Sequence, residues 1–155
     1  CHPLEREWNE NPVLNLSAMG AGLEVRVTAP TALVEDGAVI DLCGSHWKAL
    51  HVPGHSPGSL AFVHLPSRQA ISGDVLFAGG IGRFDFPSCS RTDLQRSVTK
   101  VMMSLPDDLT IFPGHGPTTT IGRERREHLF ENLHRVTRGD DALARHAVFE
   151  RLAVR

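Results

Sequence analysis

Three short stretches carry side chains suited to metal chemistry. They are Pro53-Gly54-His55-Ser56-Pro57-Gly58, Ser72-Gly73-Asp74 and Pro113-Gly114-His115-Gly116-Pro117. In the first, two prolines fix φ and two glycines open backbone angles that other residues avoid, so the loop is stiff and holds His55 in a set direction. An imidazole held that way at a strand end is what a metal site needs. Taken singly, Pro-Gly-His-Ser-Pro-Gly reads as a turn. The grammar returns at His115 after another short apolar run, and between the two an apolar strand ends in Gly73-Asp74. Three strand ends thus deliver His, Asp and His, and the three together point to a metal site.

The elements that must position these residues follow from the pattern. Pro3–Glu10 reads as a short polar helix stopped by Asn11-Pro12. Leu23–Val27, Thr31–Glu35 and Val39–Leu42 are strand candidates; His46–Val52 and Ser59–Leu65 flank the His55 loop, and a further strand ends at Asp74. Residues 77–87 form a glycine-rich loop without periodicity, and no Lys-Ser/Thr follows to make it a phosphate cradle. Thr92–Leu105 is a helix with Leu94, Val98, Val101 and Leu105 on one stripe, followed by a strand at Leu109–Phe112. Thr118–Thr120 caps a helix from Ile121 to about Val136, and Asp141–Val154 is a last amphipathic helix. Strands first, then helices alternating with single strands, give an α/β layered architecture.

The chain has 155 residues and a formal net charge of −2. That length suits one domain with a real core. Residues 1–155 are read as one domain, with 127–155 as a C-terminal helical extension that covers the core or forms a homodimer contact. No basic block suggests a nucleic-acid partner, and no apolar run is long enough to span a bilayer. No signal peptide is apparent, so a cytoplasmic location is expected. Three widely spaced cysteines, Cys1, Cys43 and Cys89, form no Cys-x-x-Cys pair and are read as free thiols, Cys89 as an exposed loop thiol with a place near the site as the alternative. Of the nine histidines, His2, His128, His134 and His146 are read as surface residues. His46, His51 and His64 lie in strand-like runs, and His51 is a candidate support for His55.

With these residues in hand, the sequence resembles the metallo-β-lactamase-fold hydrolases. The order of Pro-Gly-His-Ser-Pro-Gly-Ser, Ser-Gly-Asp-Val-Leu-Phe and Pro-Gly-His-Gly-Pro carries the resemblance. Gly-Ile-Gly-Arg-Phe-Asp (80–85) and Gly-His-Gly-Pro-Thr-Thr-Thr (114–120) resemble the glyoxalase II, or hydroxyacylglutathione hydrolase, group. The match runs from about Leu4 to about Arg126. It implies an αββα sandwich with two metal ions at one edge, usually zinc, with iron or manganese also accommodated by such ligands. It further implies that His55 binds one metal, His115 the other, and Asp74 bridges both. Arg83 and Asp85 would form an ion pair shaping the wall of the site. The substrate class implied is a small-molecule thioester, hydrolysed by metal-activated water without a protein nucleophile. Enzymes acting on glutathione thioesters, on other thioesters and on persulfides share this fold, so the resemblance implies the fold and not one acyl substrate.

The family's first metal motif, His-x-His-x-Asp-His, does not occur in the sequence. Each metal would keep one histidine and the shared Asp74, too few for a zinc site. The expectation is therefore that these residues are the C-terminal two-thirds or so of a longer enzyme and that one sheet lacks its neighbours. Were His55, Asp74 and His115 to serve one ion instead, His51 or Cys89 would be the fourth donor. The competing reading is a degenerate, metal-free domain acting as a binding or scaffold module. The intact trio of donors favours the hydrolase.

Overall fold

A computed structural model describes residues 1–19 and 23–127. Its centre is a six-stranded mixed sheet built from β1 (Val39–Leu42), β2 (Ser45–His51), β3 (Leu60–His64), β4 (Gln69–Gly73), β7 (Thr110–Pro113) and β8 (Thr119–Thr120), in that spatial order. Neighbours run antiparallel except β4 and β7, which are parallel. A parallel pair requires a crossover. Here it contains a small hairpin, β5 (Leu76–Phe77) and β6 (Gly80–Ile81), and a helix, α1 (Arg91–Arg96). After β8 the chain enters α2 (Ile121–Arg126). The expected helices from Glu127 onward, including Asp141–Val154, lie outside the described residues, as does any dimer contact they would make.

Cross-strand partners share a face of the sheet, so the register sorts the side chains. Val63, Ala70, Ile111 and Thr119 form one row across β3, β4, β7 and β8. All four are buried. Leu94, Val98, Met102, Leu109 and Ile121 complete the core on this side. Ala49, Phe62, Ile71 and Phe112 make the opposite row. On that side Ile71 is 40% and Phe112 39% exposed.

The strand candidates fall within a residue or so of β1 to β4 and β7, with two exceptions, and Thr119–Thr120, read as a helix cap, also forms the short β8. Leu23–Val27 and Thr31–Glu35 are not strands. Their backbone groups bond to the N-terminal turns instead: Val27 N–H to Asn9 O, Val34 N–H to Cys1 O, and Val25 N–H to Ser17 Oγ. Apolar β-branched residues suggested a ladder, but among the described residues no neighbouring strand accepts it. Pro3–Glu10 likewise shortens to a 3₁₀ turn at Pro3–Glu5 followed by turns. The Thr92–Leu105 helix begins as α1, widens to a π turn at Ser97–Val101 and tightens to 3₁₀ at Met102–Ser104. The extra residue in a π turn shifts the stripe. Met102 and Met103 therefore reach the core, and Val101 and Leu105 pack only partly against it. The glycine-rich segment after Asp74 also gains order as the β5–β6 hairpin.

Candidate metal centre

The β2–β3 loop is held from two sides. Ser90, which caps α1 by accepting from Asp93 N–H, donates its own N–H to Gly54 O at 2.8 Å. Ser97 Oγ donates to Pro53 O at 2.7 Å. Gly54 has φ of +135°, and a Cβ there would lie 2.1 Å from the Leu94 backbone, so only glycine fits. On the other side, Glu5 Oε1 accepts from Gly58 N–H at 2.7 Å. The His2 and His51 rings stack at 4.1 Å with 7° between planes. Burial first, and then the charge of His51, lower the pKa of His2.

The loop presents His55 to the end of β4. His55 Nδ1 lies 2.9 Å from Arg83 O. A carbonyl only accepts, so Nδ1 is the donor here and Nε2 is the ring nitrogen left to face the carboxylate. That Nε2 faces Asp74 Oδ2 at 3.4 Å, and His115 Nε2 faces the same oxygen at 3.4 Å. Three residues that are far apart in sequence thus converge on one carboxylate oxygen. The close fit depends on Gly114, where a Cβ would lie 2.2 Å from Asp74 Oδ1. His55 and Asp74 sit in the wall, with side chains 23% and 26% exposed; His115, at 79%, stands open. The Phe77 ring tilts against His115 at 6.2 Å between centroids.

The segment after the hairpin forms the other wall. Arg83 Nε and Nη2 donate to the two carboxylate oxygens of Asp85 at 2.7 and 2.8 Å. The hydrogen bond to Asp85 raises the pKa of Arg83. The guanidinium also lies 3.9 Å over the Phe86 ring. Cys89 is half-buried, not exposed, and its Sγ donates to His55 O at 2.9 Å. His2 is likewise no free surface residue. His51 turns its Nε2 to Pro57 O at 2.8 Å, so that nitrogen is engaged with the backbone of the His55 loop.

Donor type and tautomer suit a metal ion, but the donor number falls short. Among the described residues no group of three or more His, Cys, Asp or Glu is arranged to hold one ion. The single-ion alternative with His51 or Cys89 as fourth donor is therefore not what the geometry offers. Two ions, one beside each histidine and both on Asp74, would have two protein donors apiece, against about three plus water in catalytic zinc sites.

The sequence profile of the Metallo-beta-lactamase superfamily matches residues 1–115, a span that ends on His115. The chain belongs to this superfamily. Among curated metallo-beta-lactamase relatives, it is 43% identical over 98 residues to hydroxyacylglutathione hydrolase GloC of Haemophilus influenzae. It is 35% identical over 131 residues to the probable metallo-hydrolase YqgX of Bacillus subtilis. These alignments cover 63% and 84% of the chain, but only 46% and 62% of the relatives. The fold agrees. The crystal structure of BLEG-1 B3 metallo-beta-lactamase superposes with a TM-score of 0.79 at 34% identity, and TTHA1623 in a di-iron-bound form with 0.70 at 38%. Each superposition covers 83% of this chain and 62% of the other. The αββα sandwich expected from the sequence is thus the architecture of this superfamily, and the described residues supply one mixed sheet with its helical layer.

Two residues that hold the His55 loop, and one buried carboxylate on α2, escaped sequence reasoning. Ser97 and Glu5 carry no motif; only the folded chain brings them to the His55 loop. Glu124 follows Ile121 by three residues, one helical step along the buried side, and that spacing was the available signal.

Proposed function

We propose that the protein carrying this chain is a metal-dependent hydrolase of thioesters, of the hydroxyacylglutathione hydrolase type. The observation behind this reading is the position of Asp74 Oδ2, 3.4 Å from the Nε2 atoms of both His55 and His115. One carboxylate between two imidazoles suits a pair of cations sharing a bridge. The similarity to GloC of Haemophilus influenzae supports the thioester class. Zinc is the proposed metal, with iron as the competing one, since TTHA1623 is in a di-iron-bound form. The remaining donors are assigned to the part of the relatives' length that these residues do not span.

The residues present would act as holders and orienters. Asp74 would hold both cations, and His55 and His115 one each. When bound, the cations supply Lewis acidity that brings the pKa of water near neutrality and polarises the acyl carbonyl. Arg83 O fixes the His55 tautomer, as outer partners of metal-bound histidines do. Arg83 with Asp85 stiffens the loop that carries that carbonyl. Cys89 Sγ is engaged with the His55 carbonyl, and no protein nucleophile is assigned. No helix among the described residues is long and apolar enough to cross a membrane. Cys1, Cys43 and Cys89 form no disulfide with one another; a cytoplasmic location is part of the same proposal.

The test is metal analysis of the full-length protein and thiol release from a hydroxyacylglutathione. Two metals per chain and chelator-sensitive release are expected. A metal-free protein without thioesterase activity would sink this reading and leave the binding-module alternative.

A further inference from the structure

Glu124 lies on α2, away from the three ligands, and its side chain is fully buried. Both of its oxygens accept hydrogen bonds. Oε2 takes the Gly79 N–H at 2.8 Å, and Oε1 takes the Thr119 hydroxyl. Gly79 is at the tip of the β5–β6 hairpin, while Thr119 begins β8, four residues beyond His115. A buried carboxylate costs folding free energy unless it is well bonded, so its place between these two segments calls for a function.

The two segments carry the metal centre. The hairpin follows Asp74 directly. Phe77 within it rests against His115, and Gly82, just past it, donates its N–H to Val75 O. The next residue is Arg83, whose carbonyl orients His55. The second segment is the turn that leaves His115. A single carboxylate therefore ties the strand end bearing Asp74 to the turn bearing His115.

We infer that Glu124 is a positioning residue for the metal centre. It clamps the hairpin tip to β8 and so fixes where Asp74 and His115 stand relative to each other. The inference rests on the metal-dependent reading for its effect on metal binding; the clamp itself does not.

The test uses the full-length protein with Glu124→Ala, Glu124→Gln and, as a core control losing comparable thermal stability, Val98→Ala. Glutamine keeps an acceptor for Gly79 and a donor for the Thr119 hydroxyl. Zinc affinity is measured by competition with a chromogenic chelator, and the Gly79 amide by hydrogen exchange. Glu124→Ala should weaken zinc binding about tenfold, the lower end of the loss seen when a partner of a metal ligand is removed, because Glu124 acts on the ligands one step further out. It should also lower kcat with little change in KM and lose Gly79 protection. Glu124→Gln should restore all three, and Val98→Ala should leave zinc affinity near wild type. Equal zinc affinity in Glu124→Ala and Val98→Ala would overturn the inference. If the wild-type protein holds no metal, the function proposed above falls, and the clamp is decided by NMR contacts between Phe77 and His115. Their loss in Glu124→Ala supports it; their persistence overturns it.

Discussion

At the scale of single residues, Asp74 has the largest consequences. Its Oδ2 faces both His55 and His115. In the full-length protein, Asp74→Ala should remove metal and thioester hydrolysis together, read by elemental analysis and thiol release. Retention of two metals per chain would rule out the bridge. Arg83 and Asp85 act on a smaller scale. Their pair is bidentate but half exposed, so solvent screens it and the coupling should be about 0.5–1 kcal/mol. A double-mutant cycle with Arg83→Ala and Asp85→Asn on chemical denaturation measures it. Arg83→Ala alone should cost more than the coupling, because the contact over Phe86 is lost too. Strict additivity would mean that the two charges do not interact.

At the scale of elements, the His55 loop is a strut between α1 and the N-terminal turn. Ser97 is buried, and its hydroxyl is a hydrogen-bond partner of the Pro53 carbonyl. Ser97→Ala should destabilise by about 1–2 kcal/mol, since it leaves that carbonyl without this donor. A urea midpoint shift at constant m-value is the expected reading. The N-terminal turn adds a pH dependence. Burial and His51 hold the His2 pKa below its ordinary 6.5, against the opposing pull of Glu5 and Glu35. The unfolded chain then binds more protons than the folded one in the window between the lowered value and 6.5, so stability rises with pH there. Acidification from neutrality through that window should lower Tm more in wild type than in His2→Phe. Parallel pH profiles of the two proteins would show that the stacked pair with His51 carries no such linkage.

At the scale of the whole molecule, the sheet is apolar on both faces, and the second face is buried at Ala49 but open at Ile71 and Phe112. The row Ala49, Phe62, Ile71 and Phe112 crosses four strands, with Trp47 stacked on His64 beside it. β1 ends the sheet with an edge that has no strand partner among the described residues. Exposed apolar rows and open edges drive association. Residues 1–155 expressed alone should self-associate and bind an apolar dye. Replacing Ile71 by Lys and Phe112 by Glu should shift the chain towards monomer in sedimentation, because opposite charges on adjacent strands pair favourably. An already monomeric, dye-silent wild-type chain would show that this face needs no cover.

The sequence by itself determined the local part of this protein. Proline and glycine punctuation marked the His55 and His115 loops, and strand-like runs between turn residues marked β1 to β4, because turn geometry and side-chain direction are properties of neighbouring residues. The type of ligand was legible for the same reason: His55, Asp74 and His115 each stand at the end of an apolar run. Other features depend on pairs far apart in the chain, and only the tertiary structure decided them. Leu23–Val27 has strand-forming residues, yet a strand exists only where a partner strand accepts its hydrogen bonds. The π turn at Ser97–Val101 moved the buried stripe onto Met102 and Met103. Cys89 meets the His55 carbonyl 34 positions away. The Glu124 carboxylate reaches Gly79 across 45. Such contacts leave no periodicity to read, because the spacing between their partners is set by how the layers pack.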